Sequence, residues 1–166
     1  MEAEQAVKHR WTPLMETVVE VTATGGPDKL VRFPLTGELP VAMGMHGELA
    51  EHYKAAPGSF EPHASTLDYV IAGLAACLTG TFRRALSARN VSFSPDDLET
   101  RAVGKLEVNE NDVVVIRSVE VGYRLAGIPE AQRELAERAH LVHERGCPVS
   151  RSLEGAFEVT TTLEFV

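Results

Sequence analysis

The chain has 166 residues, of which 44% are hydrophobic and 24% charged, close to the averages for folded, soluble proteins. That length suffices to bury about 70% of the unfolded surface in one domain, and the composition argues against the disordered, collagenous and disulfide-scaffold classes. Sixteen Lys and Arg against twenty-four Asp and Glu give a net charge of −8, so a phosphate backbone or an anionic membrane surface is repelled on average. The Arg83-Arg84 pair with Arg89 is a local cluster that does not reverse this, and nucleic acid is not an expected partner.

In chain order, MEAEQAVKHRWTP carries neither a secretory signal nor a transit-peptide pattern, which predicts a cytoplasmic protein with residues 1–16 as an N-terminal extension. One domain is expected over 17–166. Thr17 to Phe33 alternates apolar and polar positions around Gly25-Gly26-Pro27-Asp28, a turn signal between two strands. A third strand is expected over Glu38 to Met43. Gly44 to Ala64 then forms a long irregular stretch holding His46, His52 and His63, with one helical turn over Glu48 to Lys54, and loops of that length in compact domains are often functional.

From Ser65 the period changes: Leu67, Val70, Ile71, Leu74, Leu78, Phe82, Ala85 and Leu86 recur at three- and four-residue steps and predict a helix to about Arg89. Ala72, Gly73, Ala75, Ala76 and Gly80 reduce its bulk, as suits a central buried helix approached closely by another element. No segment is apolar for long enough to span a membrane, since Leu67 to Leu78 is short and contains Asp68. Glu99 to Val108 and Val113 to Leu125 read as strands joined by Asn109-Glu110-Asn111-Asp112. Val115, Val119, Val121, Tyr123 and Leu125 share one face of the second. Pro129 opens a helix with Leu135, Ala139 and Val142 as its apolar stripe and Gly146 as its stop. The last strand sets Phe157, Val159, Thr161, Leu163 and Phe165 on one face. The order predicts a single α+β domain with mainly antiparallel sheet.

The two cysteines lie in unlike settings. Cys77 is mid-helix in LAACLTGTF, where the helix dipole gives little help to a thiolate, and reads first as a small packing residue. Cys147 follows a glycine stop and precedes Pro148, in a turn flanked by Arg145 and Arg151. Ser65-Thr66-Leu67-Asp68 reads as a capping box with Asp68 at its third helical position. His140, His143 and Cys147 have a spacing that zinc accepts, yet no fourth ligand is apparent, and Glu134, Glu137, Arg138 and Glu144 make that helix read as a solvated face; no metal is expected. Nucleotide-binding glycine motifs are absent.

STLDYVIAGLAACLTGTFRRAL ahead of a strand pair, HERGCPVSRSL ahead of a last strand, and the opening TATGGPDK together resemble the OsmC/Ohr family from about Thr17 to Val166. The resemblance implies an OsmC-like fold, an intertwined homodimer in which sheets from both chains wrap two long central helices. It also implies thiol-dependent reduction of organic hydroperoxides in oxidative-stress defence. Cys77 would be the peroxidatic thiol and Cys147 the resolving one, with an external dithiol such as dihydrolipoamide as reductant and no bound cofactor. A fatty or aromatic hydroperoxide is the expected substrate, with Tyr53, Phe60 and Tyr69 as pocket walls.

Two positions depart from the family. Its hairpin arginine, which pairs with the thiolate, is replaced by Pro27, leaving Arg32 as the candidate cation and Arg84, seven residues beyond Cys77, as the alternative. The family's helix glutamate corresponds to Asp68, so that residue has two readings, helix cap or member of the thiolate network. The same departures leave open a non-catalytic binding protein or a thiol sensor built on the same dimer.

Overall fold

A computed structural model describes residues 12–166; of the expected N-terminal extension, residues 1–11 lie outside the described residues. The first strands are β1 (Glu20–Gly25), β2 (Asp28–Arg32) and β3 (Val41–Met43), joined as an antiparallel sheet in the order β1-β2-β3. Gly25 and Gly26 hold φ of 116° and 54°, left-handed values that glycine adopts without strain, and so close the β1–β2 turn. The third strand is shorter than the expected Glu38 to Met43. Pairing begins only at Val41 opposite Val31, because Pro40 brings no N–H to a ladder.

A short helix α1 (Gly47–His52) follows, and then the long helix α2 (Thr66–Ser87). The capping box forms as read: Asp68 N–H donates to Ser65 Oγ at 3.2 Å, while the Ser65 N–H donates to Asp68 Oδ2 at 2.6 Å. Two orphan amides at the helix start are thereby satisfied. The helix ends two residues before Arg89, where Asn90 takes a φ of 55° and Val91 N–H returns to the Leu86 carbonyl.

The second sheet contains β4 (Leu98–Val108), β5 (Val114–Leu125) and β6 (Glu158–Phe165), with β5 in the middle. Its hairpin turn is built by Asn109, whose Oδ1 accepts from the N–H groups of Asn111 and Val113 at 3.0 Å each. The β4–β5 pairing is antiparallel and the β5–β6 pairing parallel, from Ser118 opposite Glu158 to Leu125 opposite Phe165. Parallel neighbours need a crossover, and here it comprises α3 (Glu130–His143), a 3-10 turn (Glu144–Gly146) and α4 (Pro148–Ser152). The sheets are therefore antiparallel except at this one pairing.

The core lies between α2, α3 and the inner face of β5. Leu74, Leu78, Phe82 and Leu86 recur every fourth residue on α2 and are fully buried, against Val119, Val121, Tyr123 and Leu125 on β5 and Ala136 and Ala139 on α3. Burial of a large apolar side chain of this kind contributes about 1.5–3 kcal/mol. β4 passes close over the helix at Gly104, where an added Cβ would run into the Ile71 side chain. In the β1–β3 sheet, by contrast, Val31 is the one buried strand residue among those described, and every residue of β1 is exposed. No described helix is long and apolar enough to cross a membrane.

Leu86 and Leu141 discriminate core from surface within one pair of variants. Leu86→Ala is expected to lose about 3 kcal/mol, within the usual range for a buried leucine, whereas Leu141→Ala, at a side chain 74% exposed, should stay within about 0.5 kcal/mol. Urea midpoints measured side by side check both, and equal losses would contradict this core.

Candidate functional site

Cys77 lies three residues beyond Leu74 and one before Leu78, on the flank of the buried stripe of α2, and is half-buried against the core. Cys147 reaches the same place from the crossover. Gly146 ends the 3-10 turn, Pro148 starts α4, and Cys147 between them is its N-cap, fully buried, with Sγ accepting from the Ser150 N–H at 3.4 Å. Proline suits the first helical position because its missing N–H is one of the unpaired donors there. The two thiols, 70 positions apart in the sequence, come close together, Cys77 packing against the buried cluster that contains Cys147. Both are free cysteines.

Burial pushes the Cys147 thiol above its ordinary range, and the neighbouring Cys77 thiol pushes the same way. The Ser150 and Val149 amides pull it back only in part. In the resting protein this sulfur carries its proton, and the nearby Cys77 favours keeping it.

Asp68 stands at the start of α2. Its Oδ2 accepts from the Ser65 N–H and Oγ–H, both at 2.6 Å, and lies 2.7 Å from His46 Nε2. Burial pushes its pKa up, but these hydrogen bonds and the His46 charge outweigh that effect and hold the carboxyl below the ordinary aspartate range. Arg32 is placed elsewhere, with Nη1 donating to Thr22 Oγ1 across the β1–β2 pair at 3.3 Å. Arg84 is exposed and lines a groove of about 340 Å³ between α2 and α3, with Thr81, Ala85, Ala88, Val142, His143 and Gly146. Of the residues singled out in the sequence, the structure thus brings the two cysteines together, gives Asp68 a histidine partner and leaves Arg32 on the N-terminal sheet.

Tyr53 is exposed, with its ring edge-on to His52. His63 donates its N–H to the Met45 carbonyl and, beside Gly44, helps hold the end of β3 to the approach of α2.

A buried polar pair behind the thiols escaped the sequence reading. His143, expected on a solvated face, is 3% exposed, and its Nε2 lies 2.8 Å from the fully buried Tyr123 hydroxyl. His143 Nδ1 is 2.5 Å from the His140 carbonyl, which can only accept, so Nδ1 carries the proton. In the neutral ring Nε2 is then the acceptor and Tyr123 donates. Burial lowers the His143 pKa, opposed by the His140 carbonyl and by Glu144. Tyr123 is pushed far up by burial, then by the proximity of Cys147 and Glu144. The sequence did contain a signal: His143 follows Ala139 by four and Ala136 by seven, which continues the buried stripe of α3. Among the described residues no group of three His, Cys, Asp or Glu side chains is arranged to hold a metal.

The chain matches the family model described as OsmC-like protein over residues 58–162. Among solved structures, an organic hydroperoxide resistance protein from Elizabethkingia anophelis shares 19% identity, with a TM-score of 0.67 over 94% of this chain and 100% of that one. The corresponding protein from Legionella pneumophila, titled a predicted redox protein, shares 18% identity, with a TM-score of 0.66 over 92% of this chain and 99% of that one. An OsmC-like protein from Mycoplasma pneumoniae shares 15% identity, with a TM-score of 0.67 over 92% and 98%. At these identities the likeness is one of fold. No curated protein matches the chain.

The depressed Asp68 pKa carries a sign. A carboxyl whose folded pKa lies below its unfolded value contributes stability above the unfolded value, and loses it as pH falls through the folded one. Asp68→Asn is therefore expected to lower the urea midpoint at about pH 6, and the difference from the parent to shrink as pH falls below the ordinary aspartate range. A difference that persists undiminished in acid would show that the ionised carboxylate is not what holds the start of α2.

Proposed function

The chain belongs to the OsmC-like protein family, and from that membership we propose that it is a thiol-dependent peroxidase that reduces organic hydroperoxides. The observation that carries the reading is the contact between Cys77 and Cys147, two free thiols from distant parts of the sequence that meet at the edge of the core. The names of the like-folded proteins from Elizabethkingia anophelis and Legionella pneumophila support the substrate class.

In this reading the Cys77 sulfur attacks the distal peroxide oxygen, the O–O bond breaks, and the products are an alcohol and a Cys77 sulfenic acid. Cys147 then attacks the sulfenic sulfur, forming the disulfide and releasing water. An external dithiol such as dihydrolipoamide restores both thiols by exchange. Asp68 and Arg32 serve as the carboxylate and cation of the site, with Arg84 as the alternative cation. Neither arginine is bonded to Asp68, whose partners are Ser65 and His46. That arrangement, with Pro27 at the family's arginine position, favours the second reading, a dimer that binds a small molecule or senses oxidants without turnover.

The working unit in either reading is an intertwined homodimer. Leu14, Val19, Val21 and Leu39 leave large apolar surface exposed on the N-terminal arm, and Val70, Gly73, Ala76 and Gly80 form an uncovered face of α2. Apolar surface concentrated in this way marks an interaction site. A second copy covers it with the same surfaces, as two-fold pairing requires.

Brief treatment of the reduced protein with cumene hydroperoxide, followed by intact-mass and thiol analysis, tests the peroxidase. The expected result is loss of both thiols as one Cys77–Cys147 disulfide, absent in Cys77→Ser and reversed by dihydrolipoamide. Thiols that survive, or that overoxidise without pairing, would favour the binding protein. In the same assay Arg32→Ala is expected to slow thiol loss by about tenfold or more, the effect of removing one charge-stabilising donor; an unchanged rate transfers the role to Arg84. Sedimentation should give twice the chain mass.

A further inference from the structure

We propose that Tyr123 and His143 form a proton relay that ionises Cys147 when it resolves the oxidised Cys77. The proposal rests on the two-thiol reading above and assigns to that site two residues the scheme otherwise leaves idle.

The resolving step needs a base. A thiolate attacks sulfur far better than a thiol, yet Cys147 is wholly buried and sits in a setting that keeps its proton on. While Cys77 is reduced, its neighbouring thiol also favours the protonated form of Cys147. Once Cys77 is a sulfenic acid, its sulfur is the electrophile, and that proton must go to another acceptor.

The Tyr123–His143 pair has the required direction. His143 Nδ1–H is committed to the His140 carbonyl, which leaves Nε2 to accept, and the Tyr123 hydrogen points to it over 2.8 Å. The Tyr123 oxygen accepts no hydrogen bond among the described residues, so its lone pairs remain available, and Cys147 shares its buried cluster closely enough to bear on its charge. His143 faces Tyr123 from β5, Glu144 and His140 from its own helix end, and Arg84 from α2 across the groove they both line, while Cys147 at the start of α4 bears on Tyr123. The Glu144 carboxylate favours the imidazolium that the relay creates. Phe82 packs against Tyr123 and both histidines, with ring centroids 4.8 to 5.8 Å apart, and keeps the relay dry.

The step balances. The Cys147 proton passes to the Tyr123 oxygen as the Tyr123 proton passes to His143 Nε2; the S–S bond forms as the S–O bond of the sulfenic acid breaks. The departing hydroxide takes a proton back from the imidazolium through the same hydroxyl and leaves as water. Cys77 and Cys147 are together oxidised by two electrons relative to the dithiol, and the peroxide has already been reduced to the alcohol.

Two substitutions separate a relay from a packing role. Tyr123→Phe keeps the ring and removes the hydroxyl. His143→Gln places an amide oxygen near the Nε2 position, which accepts the Tyr123 hydrogen bond but cannot take its proton. With cumene hydroperoxide and rapid quenching into dimedone, the relay predicts unchanged formation of the Cys77 sulfenic acid and, in both variants, disulfide formation slowed by about 100-fold at neutral pH. The defect should shrink as pH rises and Cys147 ionises unaided. Restoration by His143→Gln, or a deficit independent of pH, would overturn the relay in favour of structure alone.

A second assay reads the same step without peroxide. The aromatic disulfide 5,5′-dithiobis(2-nitrobenzoate) is attacked by Cys77 with release of one thionitrobenzoate, and Cys147 then displaces a second one to form the protein disulfide. The relay predicts that both variants delay only the second release, again at neutral rather than high pH. A wild-type chain that stops after one release, or variants that match it throughout, would overturn the proposal. If hydroperoxide leaves the wild-type thiols intact while the second release depends on Tyr123 and His143, the peroxidase reading fails and the relay stands.

Discussion

The stripe of Leu74, Leu78, Phe82 and Leu86 against the inner face of β5 is the contact on which the rest of the molecule depends. It orients α2 about its own axis, and the orientation decides where Cys77 points. A residue one place before Leu78 cannot join the centre of the stripe, so its side chain emerges at the edge, half-covered, where the crossover arrives. Cys147 meets it there because the crossover has to return to the β5 edge to lay down β6 in parallel. The thiol contact is a by-product of packing one helix on one strand.

The same stripe explains which parts of the structure were readable beforehand. α2, β5 and β6 each present a buried face to this core, so their apolar positions recur with the period of the element, and their limits were located within one or two residues. The capping box at Ser65 and Asp68 is local and equally visible. Strand direction is another matter, since a period of two is the same for parallel and antiparallel neighbours, and the β5–β6 pairing could not be read from it. β3 was overextended because Leu39 continues the apolar pattern while Pro40 ends the pairing.

The site was legible unevenly. Cys77 beside Cys147 follows from likeness to a family, for no periodicity links residues so far apart. His46 reaches Asp68 from an irregular segment, and irregular chain leaves no pattern from which a contact can be inferred. His143 was misplaced for a different reason. The glutamates and arginines of α3 suggested a face turned wholly to water, yet the alanines at 136 and 139 continue to His143 on the buried side, where Tyr123 satisfies its ring. A polar residue that extends an apolar stripe is a candidate for an internal hydrogen bond rather than a solvated one.

The crossover has a consequence for the order in which the chain becomes competent. β4 and β5 are neighbours in sequence and close over the Asn109 turn, so they form from local contacts. Cys147 comes to Cys77 only through a connection that spans α3 and α4 and is locked by β6, which follows it in the chain. Long-range pairing of that kind is late in folding, since the entropy of closing the loop must be met before its contacts form. The two thiols are thus kept apart until β6 has been made, and the folded topology itself delays their pairing until that strand is in place.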